Sequence, residues 1–254
     1  MSEDNYRAEN IIGKGSYGEV YRIDNKAIKI FKLKNILEQL KQKYFTNELT
    51  EEIKDEFQKY IKGIINEVDN MKICSDNNEY SVKCYDYFKN ENILGIIMEL
   101  CDDSLSEKLR NKNEGFNVKE IYEIMCQLNK TFKIMRENNI VHRDIKLDNI
   151  LIKYENNNTI LNFICKLTDY GISKKLNEFT ICKTFTGTLI TMAPEIIENI
   201  GENKEYNDKC DLWSIGIIIY ELYFKKPPYI GITPNSILNQ IKNQGQKNIS
   251  KDWK

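Results

Sequence analysis

The sequence predicts an α+β protein of two lobes, the first dominated by an antiparallel sheet and the second mainly helical. Strand-like runs separated by turn signals fill residues 9–31 and 82–98. Helical periodicity dominates the second half of the chain. Polarity jumps at residues 102–104, which is typical of a hinge. We therefore expect an amino-terminal lobe over residues 1–98 and a carboxy-terminal lobe over residues 99–254.

Charge and hydropathy exclude several partner classes. Lys and Arg number 37 against 38 Asp and Glu, so neither nucleic acid nor a membrane is an expected partner. The most apolar run, residues 215–224, carries Glu221 and is too short for a membrane span. The polar start M-S-E-D-N-Y-R lacks the apolar core of a secretory signal. We expect a monomeric domain in the cytoplasm or the nucleus.

The cysteine and histidine content limits the disulfides, metal sites and catalytic nucleophiles that the chain can form. Seven cysteines at irregular spacing contain no C-x-x-C pair, which favours reduced thiols in the cytosol or nucleus. The chain has one histidine, His142. A single histidine argues against zinc sites and against Ser-His or Cys-His nucleophiles.

The first strands carry a glycine pattern typical of phosphate binding. Gly13, Gly15 and Gly18 form G-x-G-x-x-G within a strand–turn–strand run over residues 9–31. Glycines let backbone N–H groups approach phosphates closely. A dinucleotide-binding fold would open a helix after the third glycine, whereas Val20 and its neighbours are strand formers. A hairpin lid is therefore favoured over a dinucleotide-binding fold.

Lys29 on the third strand has apolar neighbours, which suggests a partly buried cation that needs a carboxylate partner. The alternative is an ordinary exposed strand lysine. Residues 32–74 show helical periodicity and should supply the partner. Glu67 lies beside the apolar stripe and is the first candidate, with Glu56 as the second.

Residues 141–151, V-H-R-D-I-K-L-D-N-I-L, form a polar cluster bracketed by apolar residues. Asp144, Lys146 and Asn149 place a proton acceptor, a cation and a metal-seeking carbonyl on one loop. That combination suits a hydroxyl attacking a phosphate held by Mg²⁺. The alternative is a loop that is polar for solvation alone.

The rest of the chain alternates strands and helices. Strands at residues 150–154 and 163–168 deliver Asp169, Tyr170 and Gly171, a metal ligand with a hinge behind it. Residues 211–224 are apolar nearly all round and predict a buried helix. Further helices are predicted at residues 105–110, capped by Ser104 or Asp103, at 118–138 and at 236–241.

In order and spacing, these motifs resemble those of a eukaryotic protein kinase of the serine/threonine type over nearly the whole chain. The resemblance implies ATP and Mg²⁺ as cofactors. It implies that the three glycines form a loop covering the phosphates, and that Lys29 contacts the α- and β-phosphates. Glu67 would be the helix partner of Lys29. Asp144 becomes the catalytic aspartate, Asn149 and Asp169 the Mg²⁺ ligands, and residues 193–195 the end of the activation segment.

The resemblance also implies an adenine site. Adenine would lie between Ile12, Val20 and Ala27 above and Leu151 below. Met98 would be the gatekeeper, while the backbone of Glu99 and Cys101 would supply hinge hydrogen bonds. Asp103 or Ser104 would meet the ribose.

Substrate type follows from the same resemblance. Lys146, two residues after Asp144, and the pair Gly187-Thr188 are similar to serine/threonine kinases. Asp144 would accept the proton of the protein hydroxyl, while Lys146 steadies the γ-phosphoryl group. Thr188 would hydrogen-bond both of them. His142 resembles a scaffold residue without an acid–base role.

Regulation is expected at two places. Arg143 before the catalytic aspartate typically pairs with a phosphate on the activation segment, for which Thr184 is the matching position and Lys174 a second cation. An upstream kinase would then be a partner. Phosphorylated Tyr17 in the glycine loop would repel the nucleotide phosphates and inhibit.

The sequence departs from the family pattern in three ways. Tyr170 replaces the usual Phe, adding a hydroxyl that needs a partner when buried. The separation of 38 positions from Lys29 to Glu67 implies an extended helical segment over residues 34–73, which could be a docking surface. The chain ends at Lys254, where kinases continue into helices that supply an arginine for Glu195, so we expect a truncated kinase domain.

The sequence leaves two other function classes open. A pseudokinase-like scaffold or nucleotide-binding interaction module would bind partners without phosphoryl transfer. Such proteins normally lack a metal or lysine position, and none is missing here. A small-molecule phosphotransferase would lack the Ala-Pro-Glu segment at residues 193–195.

Overall fold

The computed structural model describes residues 8–14, 18–155, 160–170, 187–199, 208–231 and 233–244. The strands of these ranges are β1 Ile11–Lys14, β2 Glu19–Ile23, β3 Lys26–Lys32, β4 Cys84–Lys89, β5 Ile93–Glu99, β6 Asp103–Ser104, β7 Ile150–Tyr154 and β8 Phe163–Leu167. The helices are α1 Leu33–Lys43, α2 Glu51–Ser75, α3 Leu105–Asn111, α4 Val118–Glu137, α5 Gly187–Thr191, α6 Pro194–Glu198, α7 Lys209–Phe224 and α8 Pro234–Gln244. Single 3₁₀ turns lie at Ala8–Asn10 and Leu147–Asn149.

The amino-terminal sheet confirms the predicted fold class. Its strands run antiparallel in the order β1-β2-β3-β5-β4. A tight turn at Asp24, whose φ is 53°, joins β2 to β3. The residues after Gly18 form β2 and not a helix, so the hairpin interpretation of the glycine pattern is correct. The central strand β3 carries Lys29 between β2 and β5.

The segment with helical periodicity after β3 forms two helices, α1 and α2, separated by a break. The break follows α1, where Phe45 adopts a φ of 52°. Thr50 then starts α2 by accepting a hydrogen bond from the backbone N–H of Ile53 at 3.3 Å. Lys43 pairs with Glu56 across the break at 2.7 Å, which joins the two helices. The apolar residues of α1 and α2 recur at the same helical spacing, so this spacing could not reveal the break between the two helices.

A second, smaller sheet, β6-β7-β8, lies next to the junction after β5. The chain between α2 and β4 connects it to the first sheet, since Val82 N–H donates to the Leu167 carbonyl and Leu167 N–H donates to that of Tyr80. Lys166 on β8 also pairs with Glu99 at the end of β5 at 3.2 Å. These contacts bring the end of β8 close to both β5 and α2.

The helices α3 and α4 begin where the sequence predicts. Ser104 caps α3 by accepting from Glu107 N–H, and Asn117 with Glu120 forms a reciprocal cap on α4. The helix α7 is not buried all round, contrary to prediction, because Leu212 on one face is 65% exposed. Its buried positions recur at helical spacing and face the core. No helix within the described ranges is long and apolar enough to cross a membrane.

Candidate active site

Lys29 lies between two carboxylates from different parts of the chain. Its Nζ is 3.0 Å from Oε1 of Glu67 on α2 and 2.7 Å from Oδ1 of Asp169, just after β8. The side chain of Glu67 is 1% exposed, that of Lys29 13% and that of Asp169 38%. Glu56, the other candidate partner, instead pairs with Lys43. The structure therefore selects Glu67 as the helix partner of Lys29.

Lys29 and Asp169 are both held in their ionised forms. Burial by itself lowers the pKa of Lys29, but the carboxylates of Asp169 and Glu67 outweigh it and raise that pKa above its ordinary value. Burial by itself raises the pKa of Asp169, but Lys29 outweighs it and the pKa lies below its ordinary value. The lysine is thus a permanent cation and Asp169 a permanent anion at neutral pH.

Asp144, Lys146 and Asn149 form a second cluster on the loop after α4. Lys146 Nζ is 3.0 Å from Oδ2 of Asp144. The Asn149 amide donates to the Asp144 backbone carbonyl at 2.8 Å and to its Oδ2 at 3.1 Å. The Asp144 carboxylate, only 10% exposed, is therefore oriented by two donors. Such an oriented carboxylate can accept a proton from a nearby hydroxyl.

Asp211, in the first turn of α7, holds this loop in place. Its carboxylate accepts the backbone N–H groups of His142 and Arg143, each at 2.8 Å. Arg143 adopts a φ of 64°, a strained conformation that such contacts maintain. Within the described part of the chain, the buried Nε of Arg143 has no hydrogen-bond partner.

His142 is a fully buried scaffold residue. Its Nδ1 accepts from the Asp144 backbone N–H at 3.3 Å, so Nε2 carries the proton and donates to the Thr168 carbonyl at 2.9 Å. Both nitrogens of the neutral ring therefore form hydrogen bonds. Burial lowers the pKa of His142, against the raising influence of Asp211 and Asp144.

We expect the stability contributed by His142 to fall as the pH drops below about 6.5. In that window the unfolded chain binds a proton that the folded chain, with its lowered pKa, does not bind. Protonation therefore favours unfolding, and above the window the contribution is constant. Because the chain has one histidine, its ring signal can be titrated by NMR without ambiguity. A midpoint in the folded protein at or above that of the unfolded protein would contradict this expectation.

The two clusters meet through the backbone. Thr168 N–H, one residue before Asp169, donates to the Asn149 carbonyl at 3.0 Å, while His142 holds the Thr168 carbonyl. The structure thereby brings together Lys29, Glu67, Asp144, Lys146, Asn149 and Asp169. These residues come from β3, α2, the loop after α4 and the end of β8.

Two oxygens of this site suit a hard cation. The amide nitrogen of Asn149 donates to Asp144, and Oδ1 of Asp169 accepts a hydrogen bond from Lys29. Among the described residues, Oδ1 of Asn149 and Oδ2 of Asp169 accept no hydrogen bond. Carboxylate and carbonyl oxygens are the ligands that Mg²⁺ prefers. The residues present therefore fit a magnesium ion.

The predicted adenine residues surround the junction after β5. Ala27 on β3 lies opposite Met98 on β5, and both are buried. Val20, Leu151 and Cys101 are partly buried against the same core. Ile12 on β1 is 52% exposed and is not part of that core.

The backbone at Cys101 is suited to a planar polar ligand. Its neighbours are paired, since the Leu100 carbonyl accepts from Lys153 Nζ at 2.9 Å and Asp102 N–H donates to the Ile152 carbonyl at 2.8 Å. Among the residues that the structure describes, the N–H and C=O of Cys101 make no hydrogen bond. Burial raises the pKa of the Cys101 thiol to about 12, so the thiol is neutral.

The glycine loop is described only at its two ends. A Cβ at Gly18 would come within 2.5 Å of the Ile30 carbonyl, so glycine is needed there for the approach of β3. A Cβ at Gly13 would be 3.7 Å from Val20 and would fit. Gly15 and Tyr17 lie outside the described residues, as do Lys174 and Thr184. The side chain of Thr188 is likewise outside them, and Glu195 is exposed on α6.

Two structural residues near the site were not assigned a role from sequence. Asp211 could have been noticed as an acidic residue opening an almost wholly apolar helix. The hydroxyl of Ser81 lies 2.5 Å from that of Tyr170. No sequence pattern indicates this contact, because the two residues are 89 positions apart.

Comparison with known proteins gives consistent results over most of the chain. The protein kinase domain family matches residues 6–254. Serine/threonine-protein kinase ppk11 of Schizosaccharomyces pombe is 32% identical over 254 residues, which are 99% of this chain and 72% of that protein. Serine/threonine-protein kinase atg1 of Dictyostelium discoideum is 35% identical over 167 residues, 64% of this chain. Calcium-dependent protein kinase 6 of Plasmodium berghei is 32% identical over 237 residues, 92% of this chain. The chain spans 24% and 14% of the lengths of the last two proteins.

Proposed function

The chain belongs to the protein kinase family, and from this premise we propose that it transfers the γ-phosphoryl group of Mg-ATP to Ser or Thr hydroxyls of proteins. The observation that carries the proposal is the Lys29–Asp169 ion pair of 2.7 Å, next to the Asp144–Lys146–Asn149 cluster. This arrangement supports the proposal, because these side chains would serve as a phosphate-binding cation, metal ligands and a proton acceptor in one site. Enzymes of this class work mainly by positioning and charge stabilisation.

Asp144 is the proposed proton acceptor for the substrate hydroxyl. Asn149 and Lys146 orient its carboxylate, so the acceptor oxygen is positioned before the substrate arrives. Lys146 is also the proposed cation for the transferred group, because its ammonium lies beside Asp144. Glu67 positions Lys29, which would bind the α- and β-phosphates.

Asn149 and Asp169 are the proposed Mg²⁺ ligands, through the oxygens that make no hydrogen bond within the described ranges. A bound Mg²⁺ would neutralise phosphate charge. The low pKa of Asp169 keeps this ligand ionised at neutral pH. For adenine, the backbone of Glu99 and Cys101 is the proposed hydrogen-bonding edge, and Val20, Ala27 and Leu151 supply the apolar contacts.

Serine/threonine specificity is proposed from the position of Lys146 and from Gly187-Thr188. The named serine/threonine kinases among the relatives support it. The proposed location is the cytoplasm or the nucleus, which the irregular cysteine spacing supports.

Phosphorylation of Thr184 is expected to raise activity about tenfold or more, since one charge-assisted hydrogen bond is worth about 1.5–3 kcal/mol. Arg143, whose Nε has no partner among the described residues, would donate this hydrogen bond to the phosphate. Thr184→Ala should lose this gain, while Thr180→Ala, a matched change in the same segment, should keep it. Turnover by Thr184→Ala equal to that of wild type after full activation would remove the hypothesis.

The decisive experiment is transfer of ³²P from ATP to a generic basic protein, with Asp144→Asn as the control. Incorporation into protein Ser or Thr that the variant lacks would support the proposal. Nucleotide binding without incorporation would instead support a pseudokinase-like scaffold. Incorporation into small molecules alone would indicate a different phosphotransferase.

A further inference from the structure

Tyr170 is a fully buried residue whose hydroxyl has a partner. The oxygen lies 2.5 Å from Ser81 Oγ, and Ser81 is itself 1% exposed. On its other side the ring packs against His142, with centroids 5.3 Å apart. A polar group buried this deeply is stable only while these contacts are kept.

The preceding residue, Asp169, is held in a strained conformation. Its φ is 58°, a region that costs a residue with a side chain free energy unless its surroundings maintain it. On the amino-terminal side, Thr168 is fixed through both backbone groups by Asn149 and His142. On the carboxy-terminal side, the described residue that can hold the strained aspartate is Tyr170.

Ser81 connects this point to the helix that carries Glu67. It lies a few residues after α2 and forms an isolated bridge with Leu167 on β8. Val82 N–H reinforces that bridge by donating to the Leu167 carbonyl at 2.9 Å. The Tyr170–Ser81 bond therefore ties the segment bearing Asp169 to the end of α2. Both carboxylate partners of Lys29 depend on that junction.

We propose that the Tyr170 hydroxyl and Ser81 form a latch that keeps Asp169 directed at Lys29, which makes Tyr170 a positioning residue for the proposed phosphoryl transfer. Phenylalanine would fill the same space without the bond. The latch is specific to a chain that carries both the phenol and a serine at position 81. It stabilises the arrangement in which Asp169 is available as a metal ligand, and it rests on the proposed function for that role.

The test compares Tyr170→Phe, Ser81→Ala and the double variant in the full chain. Each single variant should weaken MgADP binding about three- to tenfold, the loss expected for one hydrogen bond. The double variant should be no weaker than the worse single variant, because both remove the same bond. ADP binding without Mg²⁺ should be unchanged. Tyr80→Phe, which removes a hydroxyl bonded to Lys130 at the surface, is the matched control.

A second readout does not depend on nucleotide. Backbone amides of residues 163–170 should exchange hydrogen about three- to tenfold faster in Tyr170→Phe and Ser81→Ala. Unchanged exchange and binding, additive losses, or tighter MgADP binding in Tyr170→Phe would overturn the latch. Failure of the wild type to bind MgADP would contradict the proposed function, while the exchange data would still decide whether the latch exists.

Discussion

Replacing Asp144 with Asn is expected to lower kcat by about 10²–10⁴, the usual contribution of a positioned acid–base group. The amide has almost the same size as the carboxylate, but it is a poor proton acceptor. It also loses the charge that attracts Lys146, at 3.0 Å in the wild type. Because Asp144 is not among the residues proposed to bind adenine, the KM for ATP should change little.

Steady-state kinetics with a protein substrate would measure this effect. Asp55→Asn is a suitable control, because it makes the same chemical change at an exposed position on α2. Thermal unfolding should show that Asp144→Asn remains folded. A variant that keeps more than about a tenth of wild-type kcat would exclude Asp144 as the proton acceptor, since even the lower limit for such a group is about 10².

Replacing Lys29 with Met is expected to abolish most activity and to destabilise the fold. The Lys29 ammonium lies between Glu67 and Asp169, so the change removes the ion pair that Lys29 makes with the buried Glu67 carboxylate, which is 1% exposed. Breaking a buried pair by removing one partner costs about 3–5 kcal/mol. Loss of a preorganised electrostatic group should lower kcat/KM by about 10²–10³.

A second substitution separates the two effects. In Lys29→Met/Glu67→Gln the buried charge is removed, so the free energy of unfolding should recover much of the loss while activity stays low. Lys26→Met, a matched change at an exposed position on the same strand, should be nearly neutral. Recovery of activity in the double variant would show that Lys29 serves stability alone.

Local chemistry allowed much of this protein to be predicted from the sequence. The strand pattern around the glycines, the cap at Ser104 and the loop at residues 141–151 depend on neighbouring residues and are visible in a short stretch of sequence. The order and spacing of these motifs indicated the protein kinase family, which the comparisons confirm. Asp144, Lys146 and Asn149 were recognised together because they lie within six residues on one loop.

Contacts between distant residues were decided only by the tertiary structure. Periodicity ranked Glu67 ahead of Glu56, but packing of α2 against the sheet is what places Glu67 at 3.0 Å from Lys29 and leaves Glu56 to Lys43. Packing likewise brought Ser81 to the Tyr170 hydroxyl. The physical reason is that caps and periodicity are set by residues within a few positions, whereas a buried polar atom takes its partner from whatever element the folded chain places beside it.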